Sequence, residues 1–156
     1  MNGIIREANL LDFDAIAKLE QQVFKIHINA RPDLFEKNYF TKEYFEGNFE
    51  NENAKIFVYE ENENILGHCM IEEYESIDDA MMFDVKGIFI DSMCVDENAK
   101  GRQIGRALVD HVKAHAKEIG ATSLDLLVWD FNEDARKFYE HLGLRAKSTF
   151  MEMNIE

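Results

Sequence analysis

Proline, glycine and cysteine are scarce in this chain of 156 residues, which contains one Pro, 8 Gly and 2 Cys. So little proline and glycine excludes collagen-like and proline-rich proteins. The two cysteines, Cys69 and Cys94, both lie in apolar runs and do not form the framework of a small disulfide-rich secreted protein. We therefore predict that both are reduced core thiols of a cytoplasmic protein.

Long apolar segments and basic residues are also scarce. No stretch approaches the roughly 20 apolar residues that a membrane-spanning helix needs, and the first six residues lack the features of a signal peptide. Acidic residues number 31 against 17 basic ones, which gives a formal net charge of −14. Such a chain is a poor binder of nucleic acid or of an anionic membrane. We expect neither as a partner.

Histidine and cysteine spacings typical of zinc sites are absent, so we expect no bound metal. His111 and His115 are four residues apart on a predicted helix, which is a spacing that could hold a metal ion. Because the His-Glu-x-x-His pattern does not accompany them, we interpret them as residues on the flank of that helix.

The residues that are present suffice for one domain spanning residues 1–156, since 46% are hydrophobic and the length is typical of a single core. Apolar periodicity predicts interleaved strands and helices, and therefore an α/β (α+β) class with a central sheet. Thr41 is the expected cap of the second helix, and Gly120 and Gly143 are expected to end the last two. The predicted strands cover residues 3–8, 55–60, 65–74, 85–95, 124–128 and 145–155, and the predicted helices cover 9–26, 41–49, 104–119 and 134–142.

The strongest chemical signal is the segment Lys100-Gly101-Arg102-Gln103-Ile104-Gly105-Arg106, between a predicted strand and a predicted helix. The first amides of a helix lack intrahelical acceptors, and the helix dipole is positive there, so this end suits an anion. Lys100, Arg102 and Arg106 add three cations to an otherwise acidic chain. The segment predicts a phosphate-bearing ligand, with a plain tight turn and solvated basic residues as the alternative. It matches neither a P-loop nor the three-glycine dinucleotide fingerprint.

This segment resembles the diphosphate motif of the GNAT superfamily of acyl-CoA-dependent N-acetyltransferases, Arg-Gly-x-Gly-x-Gly. Lys100 stands for the usual Arg, and Gln103 stands for the first motif glycine. Residues 132–144 resemble a second family pattern, Asn-x-x-Ala-x-x-Phe-Tyr-x-x-x-Gly-Phe, with Leu144 replacing the last Phe. The resemblance implies a mixed, mostly antiparallel central sheet of six or seven strands with about four helices, covering nearly the whole chain.

The resemblance also implies a site for acetyl-CoA as co-substrate. Backbone groups of Met93, Cys94 and Val95 would contact the pantetheine arm, and Asn132 would contact it from the opposite side. Tyr139 would protonate the leaving thiolate. The diphosphate would bind the amides of Gln103, Ile104, Gly105 and Arg106, if Gln103 keeps a helical conformation, with Gly101 allowing close approach and with Lys100 and Arg102 adding charge. Core packing of the strand, a helix cap at Asn132 and an aromatic core role for Tyr139 are the alternatives.

The general base is less defined by the sequence. An alkyl ammonium with a pKa near 10.4 must lose its proton before it attacks, which costs ~4–5 kcal/mol at neutral pH. Strand periodicity places Phe89, Asp91, Met93 and Val95 on one face, where burial would raise the pKa of Asp91 toward that of a base. A hydrogen-bonded structural carboxylate is the alternative. Other candidates are Glu72, Glu73, Tyr74 and a water-mediated route.

The acceptor predicted from the charge pattern is a cationic primary amine. Its site would be framed by residues 27–49, by a carboxylate-rich loop over residues 72–84 and by the last strands. His27 would have either a substrate contact or a structural role. The carboxylates are Glu72, Glu73, Glu75, Asp78, Asp79 and Asp84, which would attract a cation unless they are merely solvated. A non-catalytic acyl-CoA sensor and an interaction adaptor are the alternative functions. The apolar last strand could also pair across a homodimer.

Overall fold

The computed structural model describes residues 3–36, 40–77 and 79–155, so Asp78 of the acidic loop lies outside the described residues. Within them, strands and helices follow the predicted order, and the mixed α/β class is confirmed. The strands are β1 (Ile4–Glu7), β2 (Ala54–Glu61), β3 (Asn64–Ser76), β4 (Val85–Val95) and β5 (Ser123–Leu126), and the helices are α1 (Phe13–Ala30), α2 (Lys42–Glu50), α3 (Ile104–Glu118) and α4 (Glu133–His141).

The sheet has the strand order β1-β2-β3-β4-β5, with antiparallel pairs except for the parallel pair β4–β5. The predicted strands 55–60 and 65–74 correspond to β2 and β3, which pair as an antiparallel hairpin. Its two-residue loop, Asn62 and Glu63, has φ values of 51° and 63°. Such left-handed loops match the twist of the paired strands.

The predicted sixth or seventh strand is wrong, because residues 145–155 are described and pair with no strand. Their apolar side chains are exposed: Phe150, Met151, Met153 and Ile155 are each 83–94% accessible. An apolar pattern favours extended backbone but does not supply the neighbouring chain that a strand must bond to. The segment is held by side-chain ion pairs instead, Lys147 with Asp125 at 3.2 Å and Arg31 with Glu152 at 2.5 Å.

The helices cover both faces of the sheet. The predicted apolar stripe of α3 is buried against β2, β3 and β4, and α1 and α2 pack on the opposite face. Both cysteines are buried free thiols, as predicted. Helix α1 begins later than predicted, because Asn9 caps a separate turn of 3-10 helix, Leu10–Asp12. Leu11 therefore lies outside the apolar stripe and is 93% exposed.

A β-bulge interrupts β4 at Asp91. Met70 of β3 pairs with Ser92, but the next residue, Ile71, pairs with Ile90, so Asp91 is an extra residue. The prediction that Asp91 shares a face with Met93 is therefore wrong. Ile88 and Ile90 face the α3 side before the bulge, and Met93 and Val95 face it afterwards.

Candidate active site

A cleft opens where β4 and β5 separate. Their parallel pairing covers only Gly87–Ile90 and Ser123–Leu126. Beyond this pairing, the two segments of the chain enclose a cavity of about 100 Å³. Its polar and aromatic walls come from α1, β4, the chain after β5 and α4. The lining residues include Val23, His27, Asp91, Ser92, Met93, Trp129, Asn132, Ala135 and Tyr139. On β4, Met93, Cys94 and Val95 pair with β3 on one side, and their other edge lies beyond the end of the β5 pairing.

A second, larger hollow of about 620 Å³ lies beside the β2–β3 hairpin, where Arg6, Lys18, Glu60 and Arg102 line it. It shares no lining residue with the cleft. Because Tyr139, Asn132 and the open edge of β4 all border the smaller cavity, we place the candidate chemistry there.

The N-terminus of α3 begins with an unusual backbone at Gln103, which has φ 64° and ψ 12°. The condition of a helical Gln103 is not met, because the chain makes a left-handed turn into the helix. That conformation costs a non-glycine residue ~1–2 kcal/mol, which explains why a glycine suits this position. Left-handed backbone followed by right-handed helix turns successive amides to one side, as anion-binding concavities do.

The three predicted cations surround this helix end, and all are exposed. Arg102 is bound through Nη2 to Glu61 Oε2 at 2.5 Å, which ties the turn to the end of β2. Gly101 has a φ of 78°, which an L side chain rarely adopts. Lys100 and Arg106 flank the same amides. The helix end thus offers backbone donors with positive charge on both sides.

Gly105 has a packing role that the sequence did not reveal. A Cβ atom there would lie 3.0 Å from Cζ of Phe138 and 3.6 Å from Cγ2 of Val95. Its missing side chain therefore lets α3 approach α4. This contact also joins the start of α3 to the wall of the cleft, because Phe138 precedes Tyr139 and their rings are 5.1 Å apart.

Asn132 and Tyr139 stand at opposite ends of the same short helix. Asn132 Oδ1 accepts a hydrogen bond from the Ala135 amide at 3.2 Å, so the residue is a helix cap that also lines the cleft. Its amide NH₂ group is the remaining donor. Burial raises the pKa of Tyr139, with smaller contributions from the nearby Cys69 and Cys94 thiols. Burial likewise raises the pKa of Cys94 to about 12.

Asp91 is exposed rather than buried, and its Oδ2 accepts a hydrogen bond from the Tyr44 hydroxyl at 2.9 Å. Of the other base candidates, Glu73 is bound to His115 Nε2 at 2.8 Å against α3. Tyr74 donates its hydroxyl hydrogen to Asp125 of β5. Neither of these two residues lines the cleft.

The sequence analysis named His27 but missed the aromatic wall to which it belongs, defined as His27, Phe35, Trp129 and Phe131. The Trp129 ring lies 5.8 Å from Phe131 and 5.3 Å from Phe35, measured between ring centroids. His27 contacts Phe35 and Phe131 edge to face. A signal existed, because the single tryptophan precedes the motif that begins at Asn132 by three residues.

A buried polar network beneath the cleft was also missed. Glu20 and His68 are both 0% exposed, and His68 Nε2 lies 2.6 Å from Glu20 Oε1. The Ser92 hydroxyl, which lines the cleft, donates to the same oxygen. The signal was Glu20 itself, an acid four residues after Ile16 in the apolar stripe of α1. This network fixes the strand just after the bulge.

Comparison with known proteins identifies the family. Residues 19–144 match the model of the acetyltransferase (GNAT) family. The chain belongs to the GNAT acetyltransferase family. This GNAT protein is 29% identical over 145 residues to the uncharacterized N-acetyltransferase MJ1207 of Methanocaldococcus jannaschii. The aligned region covers 92% of this chain. The same aligned region spans 61% of the length of that relative.

Solved structures agree with the fold. A tetramutant of the BH1408 protein from Bacillus halodurans superposes with a TM-score of 0.94 at 31% identity, covering 97% of this chain and 99% of the other. The ribosomal-protein-alanine N-acetyltransferase of Brucella melitensis has a TM-score of 0.75 at 19% identity, covering 99% and 100% of the two chains, and shows the shared fold alone.

Residues 3–36, 40–77 and 79–155 contain four α-helices and two buried cysteines. None of the helices in this part of the chain is long and apolar enough to cross a membrane. Across the same residues, no group of three His, Cys, Asp or Glu side chains is arranged to hold a metal ion. His115 binds Glu73, and both His111 and His115 contact the Phe57 ring, at 4.6 and 5.8 Å between centroids.

Proposed function

We propose that this GNAT protein transfers an acetyl group from acetyl-CoA to a cationic primary amine. One observation carries the proposal: the cleft that opens beyond the β4–β5 pairing is bordered by Tyr139, and the adjacent α4 packs against the start of α3 through Gly105 and Phe138. A single ligand could therefore contact the donor amides of α3 and the phenol together.

Acetyl-CoA would lie along this path. Its diphosphate would accept hydrogen bonds from the amides of Gln103–Arg106, beside Lys100 and Arg106. The pantetheine arm would bond to the open edge of Met93–Val95 as an added strand does, with Asn132 on the other side. Arg102 would exchange the Glu61 carboxylate for a phosphate oxygen, so that one charge-assisted hydrogen bond replaces another.

The reaction transfers the acetyl group directly. The amine nitrogen attacks the thioester carbon, the new C–N bond forms, and the C–S bond breaks with its electron pair on sulfur. Tyr139 gives its hydroxyl proton to that sulfur. A free thiol has a pKa of about 8.5, but the buried Cys94 thiol beside Tyr139 has its pKa raised to about 12. Because burial disfavours the charged form of a thiol, a leaving thiolate in a buried cleft would be more basic than in water, and thus a better acceptor for the phenol proton.

The acceptor is inferred from the mouth of the cleft. Asp91 is an exposed carboxylate in the lining, and Glu72 lies on the neighbouring strand, where it is also exposed. Trp129 of the aromatic wall also lines the cleft and adds a ring face that attracts ammonium groups. Together they favour an amine that arrives as a cation and is held by Asp91 before it loses its proton.

The test is a screen of primary amines, namely polyamines, aminoglycosides, arylalkylamines and peptide amines, with release of free CoA thiol as the measurement. Binding of acetyl-CoA is measured in parallel by calorimetry. We expect Arg106→Glu to weaken that binding severalfold, whereas Arg136→Glu on the exposed side of α4, with the same charge change, leaves it unaltered. Binding without thiol release from any amine would favour a sensor, and absence of binding would contradict the proposal.

A further inference from the structure

We propose that His27 is the general base that accepts the proton of the attacking amine, an inference that rests on the proposed acetyl transfer. His27 lies in the last turn of α1 and lines the same cleft as Tyr139. The aromatic wall orients its ring, with the Phe35 and Phe131 ring centroids 5.0 and 5.5 Å from that of His27. The base and the acid would therefore approach the substrate from different elements, α1 and α4.

The hydrogen bond of the imidazole determines which nitrogen can accept a proton. His27 Nδ1 lies 2.9 Å from the carbonyl oxygen of Val23, one turn back in α1. Because a carbonyl only accepts, Nδ1 must carry the hydrogen, and the neutral ring therefore has its lone pair on Nε2. Nε2 points away from the helix carbonyl and is used by no hydrogen bond recorded among the described residues. The ring is thus held in the tautomer that a base needs.

Imidazole is also the better chemical match for this role. An ordinary imidazole titrates near pH 6.5 and an ordinary carboxylate near pH 4, so imidazole lies closer to the ammonium pKa of ~10.4. Asp91, the other candidate in the lining, already accepts the Tyr44 hydrogen bond. In the proposed step the ammonium proton moves to Nε2 as the amine lone pair attacks. As the amide forms, the same nitrogen loses a second proton, which passes through solvent to the Tyr139 phenolate, while the His27 imidazolium releases its proton to bulk water. One ammonium and one thioester thus give one amide, one free thiol and one released proton.

Few charged or titratable groups lie near His27. The cleft lining contributes Asp91 and Tyr139 as titratable groups. Phe35 and Phe131, which touch the ring, carry no charge. Arg31 is one turn further along the chain and is paired with Asp33 and Glu152, at 2.8 and 2.5 Å. A rate limb that rises with pH, as the general base loses its proton, is therefore expected for kcat/KM of the wild-type protein.

The principal variant is His27→Asn, because the Asn amide places an N–H near the position of Nδ1 and can still donate to Val23. We expect kcat/KM to fall ~10²-fold or more, the range typical of a lost general base, and the rising limb to disappear. Acetyl-CoA affinity should stay within twofold of wild type. The matched control is His141→Asn: His141 Nδ1 bonds to the Lys137 carbonyl at 2.6 Å, also one turn back, but the residue is exposed and outside the cleft.

A second variant distinguishes a catalytic role of His27 from a purely structural one. In His27→Ala, added imidazole should restore part of the rate, since a purely structural histidine gives no such rescue. A His27→Asn protein with the wild-type rate and pH profile, or a His27→Ala protein that imidazole does not accelerate, would overturn the assignment of His27. If the wild-type protein binds acetyl-CoA but acetylates no amine, the proposed function fails instead, and the assignment fails with it.

Discussion

The contact between Gly105 and Phe138 predicts that alanine at position 105 destabilises the protein. The same substitution should stabilise the protein once Phe138 is replaced by a smaller residue. Alanine at position 105 would place a Cβ 3.0 Å from Cζ and 3.3 Å from Cε2 of Phe138. Ordinary van der Waals contact needs more than 3.4 Å, so the ring must move by several tenths of an ångström. The ring adjoins Tyr139 on a helix of nine residues, so its displacement would reach the cleft.

Two opposing effects determine the magnitude. Overpacking a filled contact costs ~1–3 kcal/mol. Replacing glycine by alanine in a helix gains up to ~1 kcal/mol from backbone entropy. We therefore expect Gly105→Ala to lower the free energy of unfolding by ~1.5 kcal/mol, taking the middle of both ranges. In a Phe138→Leu background the clash is absent, and the same substitution should stabilise the protein by up to ~1 kcal/mol.

The assay is a double-mutant cycle measured by urea unfolding of the four proteins. The expected coupling between positions 105 and 138 is ~1–3 kcal/mol, within the range seen for residues in direct contact. Acetyl-CoA affinity should be equal in the Phe138→Leu single and the double mutant, because the Cβ lies on the buried side of α3. If Gly105→Ala shifts stability equally in both backgrounds, glycine is not required for the approach of α3 to α4.

Three further substitutions test the site. Tyr139→Phe should lower kcat ~10²-fold at constant acetyl-CoA affinity; and because burial raises the pKa of this phenol, wild-type activity should not fall with rising pH until beyond its ordinary value near pH 10. Asp91→Asn should raise KM for a cationic amine severalfold and keep the rising limb of the pH–rate profile; loss of that limb would make Asp91 the base. Gln103→Gly should stabilise the protein by ~0.5–1 kcal/mol, because relief of the left-handed strain exceeds the added entropy of the unfolded chain. Gln103→Ala should give no such stabilisation, and calorimetric unfolding of the two variants measures the difference.

Much of the fold follows from local sequence. The apolar stripe of α3, the capping hydroxyl of Thr41 and the turn between β2 and β3 are local patterns, and all are present in the structure. The strand predicted at 145–155 failed because strand formation depends on a partner, which local sequence does not specify. The helix cap at Asn132 was one of two alternatives, and the structure adds that the same residue lines the cleft.

Features of the site that arise from long-range contacts could not be predicted. The bulge at Asp91 depends on the register with β3, which lies 19 residues earlier in the chain at the pair Ile71–Ile90 and 22 residues earlier at the pair Met70–Ser92. A strict period of two therefore assigned Asp91 to the wrong face. The left-handed Gln103 is similar, because glutamine gives no local signal for a positive φ. His27 and Trp129 line the same cavity only because α1 and the chain after β5 converge there.

Deleting Asp91 would test whether the bulge creates the cleft. Removing this one residue leaves Ile90 followed by Ser92, and a regular period of two then still directs Ile90 and Met93 toward α3 and Ser92 toward Glu20. The β3–β4 ladder could become continuous, so we expect the fold to persist with little loss of stability. A straighter β4 would extend its pairing with β5 past Leu126 and close the edge that we assign to the pantetheine arm. Acetyl-CoA binding should therefore be lost in the deletion variant but kept in Asp91→Asn, when both are measured by calorimetry. A folded deletion variant with wild-type affinity would show that the separation of the two strands does not depend on the extra residue.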